Sequence, residues 1–349
     1  LGSGAVGNTS VSVNATGMST AQLVAVEGGI AKIAANGITG AIALDADGTG
    51  ITSAVVDDLL GKTSVDATVS VDATSAASTV LTSLSNAIAK VDAITGLTVT
   101  NTQSSAEIGN LLSKASGATV NAASMDATDL GQVAANIGGV GSITNLTLDS
   151  TMGADLISEL LGTKTADASV DVDATGMSAA QLNAIGAAIA EIDAITGTLA
   201  LTNGVNASAI SSIYAEYTGT TSTVVATGMS SAQLNAIDGA KVAASGITGT
   251  FTINADVTST QITALVAKTA AGATLTVDAT GMSAAQITAV EVGIAVVDTL
   301  TGLTLTSSQS AAEMTDLLGS GAVGNTSVSV NASGMVTAQL VAVEGGIAK

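Results

Sequence analysis

An eleven-residue phrase that recurs along the chain constrains its fold more than any other feature. The clearest copies read VDATGMSAAQL from Val172 and VDATGMSAAQI from Val277. Each of the seven copies opens on a valine, and an aliphatic residue follows ten positions later. The anchor valines lie 49 to 58 residues apart, and they are Val13, Val71, Val120, Val172, Val224, Val277 and Val330. This regularity predicts a structural unit of about 52 residues that repeats along the chain.

The phrase predicts a strand, a turn and the start of a helix. Apolar and polar residues alternate in the segment SVDV that ends at Val172, as in a strand with one buried face. Ser178 and Gln181 then form an S-x-x-Q capping box, which marks a helix N-terminus. Apolar residues continue at 3-4-3 spacing from Leu182 to Ile192, which places them on one face of a long helix.

A second strand and helix complete the unit. Segments such as ITGLTVTN, from Ile94 to Asn101, share the form I/L-x-x-L-x-V/L and predict the strand. A shorter helix follows, as in SSAEIGNLLSKA. The unit is therefore a strand, a long helix, a strand and a short helix, and the whole chain is expected to hold thirteen strands.

A longer period is also present. Residues 1–32 and 318–349 agree at 30 of 32 positions, and the two exceptions are Thr16/Ser333 and Ser19/Val336. A block of 317 residues therefore begins again almost letter for letter. We expect residues 1–349 to form a single continuous solenoid that is a window on a longer array. In such an array each unit is stabilised mainly by its neighbours.

The I-x-x-L-x-L strand followed by a helix resembles the leucine-rich repeat (LRR), at about 26 residues per strand–helix layer. The resemblance implies an α/β fold, a right-handed β-α solenoid with a parallel sheet and alternating long and short helices. Both a curved horseshoe and a straighter stack are compatible with such a repeat, and the strict alternation of long and short helices favours the straighter stack. The asparagine that usually follows the strand is replaced here by Thr102, Thr151, Thr175, Asp256 or Ser308. Only the solenoid geometry is carried over, and no binding residues.

Composition excludes several functions. A net charge of −20 repels nucleic acid and anionic lipid, and no apolar run is long enough to span a membrane. The chain has no histidine or cysteine, so His-based triads, thiol nucleophiles and ordinary zinc sites are excluded. A G-x-G-x-x-G match at Gly2–Gly7 and Gly319–Gly324 has a helix before it and a strand after it, the reverse of a dinucleotide site. We therefore expect a protein that is not an enzyme.

Carboxylates supply the remaining candidate site residues. Asp45 and Asp47, in LDADGTG, resemble part of a Ca²⁺ loop, but the later ligands and the bidentate glutamate are missing, and an Asp-Gly turn explains the segment better. The outward face of the strands is rich in hydroxyl groups and carries a column of acidic and amide residues. These further candidate Ca²⁺ ligands are Asp72, Asp173, Asp278, Asn14 and Asn331. The same face also suits carbohydrate, another solenoid or simple hydration.

Repetition without a distinct site favours a structural role. We expect an extracellular repeat protein, on a bacterial cell surface, whose solenoids pack with copies of the same chain into a fibre, a sheath or an S-layer-like coat. The alternative is an adhesin or a repeat protein that binds carbohydrate, Ca²⁺ or ice. T-x-T pairs at strand spacing, as in LTVT and LTLT, favour the ice-binding version, and the acidic column opposes it.

Overall fold

The computed structural model of the chain describes residues 11–46, 50–163, 170–324 and 326–347. The chain divides into two compact units, Leu1–Asp171 and Val172–Lys349. Strands and helices alternate through both units. Among the described residues, every helix is too short or too polar to cross a lipid bilayer.

The described part of the first unit holds nine strands and six α-helices. In chain order they are β1 Val11–Asn14, α1 Thr20–Glu27, β2 Ile33–Thr39, β3 Ala41–Asp45, α2 Ser53–Lys62, β4 Thr68–Asp72, α3 Ser78–Asn86, β5 Ala93–Thr95, β6 Thr98–Val99, α4 Ser105–Leu112, β7 Ala118–Asn121, α5 Ala127–Ala135, β8 Val140–Thr144, β9 Leu146–Leu148 and α6 Ala154–Thr163. Strand β10, Val170–Asp173, contains the boundary between the units.

The described part of the second unit continues the same alternation. Its elements are α7 Ala179–Ala187, β11 Ala194–Thr196, β12 Ala200–Leu201, α8 Ala207–Glu216, β13 Ser222–Val225, α9 Ser231–Ala236, β14 Val242–Thr248, β15 Thr250–Ile253, α10 Ser259–Lys268, β16 Thr274–Asp278, α11 Ala284–Val292, β17 Thr299–Thr301, β18 Thr304–Leu305, α12 Ala311–Gly319, β19 Ser329–Val330 and α13 Thr337–Ile347.

The strands pair in parallel within small sheets. The first unit contains the sheets β3-β4-β5 and β6-β7-β8, and the second contains β12-β13-β14 and β15-β16-β17. Leu44, Val71 and Ile94 are register partners and are buried, whereas Ser70 and Asp72 on the opposite face are exposed. Parallel strands, intervening helices and an open topology make this an LRR-like α/β solenoid fold, as the sequence predicts. The 52-residue length and the handedness stay predictions.

The second strand of each unit is split in two, so the expected number of thirteen strands is wrong. The described residues contain nineteen strands. ITGLTV, for example, forms β5, which pairs with β4, and then β6, which pairs with β7. Gly96 between them has φ +63, a left-handed conformation that steps the chain from one sheet to the next.

The long helices are also shorter than the apolar spacing predicts. Helix α3 ends at Asn86, a 3₁₀ turn covers Ile88–Lys90, and Val91 is already extended. Similar 3₁₀ turns follow four other long helices, at Ile30–Lys32, Ile137–Gly139, Ile189–Glu191 and Ile294–Val296. The turn returns the chain to the sheet, where the Asp92 carboxylate accepts the Val69 N–H at 2.7 Å. Asp298 accepts the Leu275 N–H at the same distance.

Candidate functional site

A shallow depression lies where β3, β4 and β5 end, on the outward face of the first unit. Its volume is about 440 Å³. The lining residues bring hydroxyl groups and two carboxylates together, and they are Met18, Ser19, Thr20, Ala43, Leu44, Asp45, Ser70, Val71, Asp72, Ala93 and Thr95. We call this surface the strand-end depression. Its hydroxyl and carboxylate groups match the acidic, hydroxyl-rich face predicted from the sequence.

Three aspartates end their strands by accepting hydrogen bonds from the following turn. Asp72 Oδ1 accepts the Thr74 hydroxyl at 2.6 Å and the Thr74 N–H at 3.0 Å. These bonds, the hydroxyl first, hold the pKa of Asp72 below its ordinary value of 3.8. Asp173 and Asp278 bind the second residue after them in the same way, and their pKa values are lowered for the same reason. We call Asp72, Asp173 and Asp278 the strand-end aspartates.

The structure brings two of the predicted calcium ligands together. Asp45 and Asp72 are direct register partners on β3 and β4. Asp173 and Asp278 lie on β10 and β16, and the partner of Asp278 on the next strand is Thr301. Asp47 lies outside the described residues. No group of three or more acidic side chains suited to a metal ion occurs in the part of the chain that the structure describes, and calcium binding stays a prediction.

The turn that each strand-end aspartate forms leaves no room for a side chain at the residue that follows the next strand. A Cβ atom added to Gly96 would lie 2.1 Å from Thr74 Oγ1 and 2.8 Å from Asp72 Oδ1. Asn145 occupies the equivalent position in a layer where alanine, Ala123, replaces the threonine. Asn145 also has positive φ, 54°, and donates to Asn121 Oδ1 at 3.0 Å. The aspartate, the threonine and the glycine therefore form one turn structure that ends the strands.

The capping-box glutamines have a second function that the sequence pattern does not reveal. Gln233 Oε1 accepts the Ser230 N–H at 2.8 Å, which is the predicted cap. Its Nε2 also donates to the carbonyls of Asn203 and Val205, in the preceding layer, at 2.8 and 2.7 Å. Gln286 and Gln339 make corresponding pairs of bonds. Each of these glutamines therefore joins its own layer to the layer before it.

Lysine residues join layers at the opposite end of the helices. Lys90 Nζ donates to the Thr63 carbonyl at 2.8 Å, where α2 ends. Lys268 Nζ donates to the Val242 carbonyl at 2.9 Å. A positive charge at a helix C-terminus also interacts favourably with the helix dipole. The sequence gives no signal for these bonds, because each acceptor is a backbone carbonyl.

The aromatic residues Tyr214 and Tyr217 lie where the repeat pattern is most irregular, before the six-residue helix α9. Their rings meet edge to face at 6.4 Å. The Tyr214 hydroxyl bonds to Ser222 Oγ at 2.9 Å, and burial raises the pKa of Tyr214 to about 12. Lys241 Nζ donates to the carbonyls of both tyrosines. The cluster is internally satisfied and serves packing.

The layer at residues 326–347, here called the C-terminal layer, exposes apolar side chains. Leu340, Val341 and Ile347 are 45%, 59% and 79% exposed. Leu340 is the counterpart of Leu23, which lies in the same sequence TAQLVAVE and is only 1% exposed. Within the described residues, β19 pairs with β18 alone, whereas its counterpart β1 pairs with β2. The face that is buried in the copy at residues 11–32 is therefore exposed in the copy at residues 326–347.

Comparisons with known proteins find only distant similarities, so the fold is assigned from the chain's own topology. No family model and no curated protein matches the chain. Among solved structures, the leucine-rich repeat-containing protein LegL7 from Legionella pneumophila is 12% identical, with 97% of this chain and 98% of that chain covered and a TM-score of 0.21. The yeast Rad7–Elc1 complex is 12% identical over 82% of this chain and 84% of that chain, with a TM-score of 0.24.

Proposed function

We propose that this chain is a structural, non-catalytic repeat protein that assembles with copies of itself into an extended extracellular fibre or coat. The observation that carries the proposal is that residues 1–32 recur as residues 318–349 with 30 of 32 positions identical. Side-chain bonds such as those from Gln233 to the Asn203 and Val205 carbonyls join one layer to the layer before it. Repeated layers of this kind are stabilised by their neighbours and gain stability by extension.

Charge sets the conditions under which copies can pack together. The sheet face carries carboxylates and hydroxyls, and a net charge of −20 opposes close packing of copies at low ionic strength.

Sedimentation velocity across a concentration series tests the proposal. We expect the 349-residue chain to form larger species as its concentration rises, and electron microscopy of the same samples to show elongated particles. Added salt should promote association, because it screens repulsion between acidic copies. A single 33.3 kDa species at every concentration and salt level would refute the proposal.

A second candidate function is ligand binding at the strand-end depression, which favours carbohydrate because hydroxyl and carboxylate groups lie side by side there. Glycan-array binding by the wild-type chain, lost in Ser70→Ala and Asp72→Asn, would support it. Calcium titration and thermal hysteresis test the two other ligands predicted from the sequence. The matched control is Asp278→Asn, which changes an equivalent strand-end aspartate outside the depression.

A further inference from the structure

One junction between neighbouring helices occurs twice in the chain with different side chains. Helices α3 and α4 in the first unit correspond to α11 and α12 in the second, and equivalent residues lie 206 positions apart. In the first copy Asn110 Nδ2 on α4 donates to Ser85 Oγ on α3 at 3.1 Å. In the second copy the same two positions hold Asp316 and Glu291. Two carboxyl groups therefore replace a neutral hydrogen-bonded pair.

The second copy also lacks two positive charges. Lys90 and Lys114 of the first copy correspond to Val296 and Ser320. The other charged residues of the segments 77–116 and 283–322 match, and they are the pairs Asp92/Asp298 and Glu107/Glu313. The contact between α11 and α12, here called the acidic junction, is therefore four units more negative than its counterpart when every carboxyl group is ionised.

Glu291 and Asp316 meet at a depression on the surface of the acidic junction. Its volume is about 580 Å³, and Asp298 and Ser320 also line it. Glu291 is half-buried, and its carboxyl group lies within hydrogen-bonding reach of Asp316. Two carboxylates at this separation repel each other when both are ionised, and a hydrogen bond between them requires one proton.

The charged groups around Glu291 do not compensate this repulsion. Asp298 lies in the same depression, and Glu313 on α12 acts on Glu291 through its charge. On α10, which also packs against α11, Lys268 is the only charged residue, and its Nζ donates to a backbone carbonyl of the preceding layer. On α13, which packs against α12, the only charged residue is Glu344. No cation of the described part of the chain therefore faces the pair.

The two neighbouring carboxylates already accept hydrogen bonds. Glu313 accepts the Thr288 hydroxyl and a backbone N–H, each at 2.6 Å, and these bonds, the hydroxyl first, lower its pKa. Asp298 accepts a backbone N–H at 2.7 Å. Among the described residues Glu291 and Asp316 have no such donor, so a bound proton is what can join them. Burial, and after it Asp316, raises the pKa of Glu291 above its ordinary value of 4.5.

We propose that the acidic junction is a proton-operated contact between two layers, in which Glu291 and Asp316 share a proton in acid and repel each other at neutral pH. The folded chain binds this proton more tightly than the unfolded chain does. The contact therefore contributes stability that is complete below pH 4.5 and is lost as the pH rises through the folded pKa of Glu291. Because neighbouring layers stabilise each other, the junction is a place where the cohesion of the stack follows pH. The inference is independent of the proposed self-assembly.

Transferring the neutral pair from the first copy to the second tests the proposal. The variant Glu291→Ser/Asp316→Asn reproduces the pair Ser85 and Asn110. Amide hydrogen exchange in α11 and α12, corrected for the intrinsic effect of pH and expressed relative to α3 and α4, reports on the junction. In the unmodified chain we expect this relative protection to be at least about threefold higher at about pH 4.5 than at about pH 7. In the variant the difference should disappear.

A single added lysine should also abolish the pH response. Ser320→Lys restores the charge that Lys114 supplies in the first copy, and an ammonium group in the depression stabilises both ionised carboxylates. Ser320→Gln is the matched control, because it lengthens the side chain without adding charge and should keep the response. Circular dichroism checks the folding of each variant.

Titration of the unmodified chain covers the case in which a variant fails to fold. Carbon-13 NMR of labelled glutamate should give Glu291 a titration midpoint above 4.5, and Asp316→Asn should lower that midpoint. A midpoint at or below 4.5, or relative protection that stays constant with pH in the unmodified chain, overturns the inference. A response that survives in Glu291→Ser/Asp316→Asn, or that Ser320→Gln removes as fully as Ser320→Lys, also overturns it.

Discussion

Replacing Gln233 by glutamate separates the two functions of a capping-box glutamine. Glutamate has the same shape and keeps the oxygen that accepts the Ser230 N–H. It lacks the Nε2 donor, so the two bonds to the Asn203 and Val205 carbonyls are lost. A carboxylate then lies against two carbonyl oxygens at a site where the side chain is only 7% exposed.

The expected loss follows from those two bonds. Each contributes about 0.5–1.5 kcal/mol net, and carbonyls left without a donor add to the cost. We therefore expect Gln233→Glu to lower the free energy of unfolding by about 2–4 kcal/mol at neutral pH. Below the pKa of the new carboxyl group the protonated side chain can donate one hydrogen bond, so part of the loss should be recovered in acid.

The matched control is Gln22→Glu. Gln22 is exposed and makes the same cap, with its Oε1 accepting the Ser19 N–H at 2.8 Å. A change there should stay within about 0.5 kcal/mol. Urea unfolding gives the global values. Hydrogen exchange over residues 202–237 gives the local ones, because long repeat arrays often depart from two-state unfolding. Equal losses in the two variants would show that the interlayer bonds contribute nothing measurable.

Three further predictions concern the strand ends and the helix ends. Gly96→Ala should destabilise the fold by about 2–3 kcal/mol in urea unfolding, because its Cβ would displace the Thr74 hydroxyl and its positive φ disfavours alanine. Lys90→Met should cost about 1 kcal/mol in the same assay, since the Thr63 carbonyl loses its donor. Acidification should remove stability contributed by the strand-end aspartates. Their folded pKa values lie below 3.8, so this contribution is complete above that value and is lost as the pH falls through the folded pKa. Changing all three to asparagine should reduce the fall in melting temperature between about pH 5 and pH 2.

The layered α/β fold was predictable from the sequence, because local patterns of apolar residues and helix caps determine it. The caps at Ser178 and Ser230 form as the S-x-x-Q spacing predicts. The split at Gly96 was not predicted, because hydrophobic alternation continues across it and the positive φ leaves no periodic signal. The early end of α3 at Asn86 was also missed, since a 3₁₀ turn keeps Ile88 near the face that an α-helix would use.

The candidate site was predicted in composition and not in arrangement. Asp45 and Asp72 were assigned to two different patterns, a loop and a column, yet the register makes them neighbours. Their separation of 27 residues is one layer, so aligning layers instead of whole units would have paired them. The bonds from Gln233 to backbone carbonyls had no such signal, because a carbonyl acceptor is present at every residue.

Directional bonds explain how layers of small aliphatic residues keep one register. Alanine, valine and leucine faces resemble one another closely, and apolar contact alone discriminates weakly between a correct and a shifted partner. A shifted layer would leave the Gln286 amide and the carbonyls of Ala255 and Val257 without their bonds, which costs more than the bonds themselves contribute.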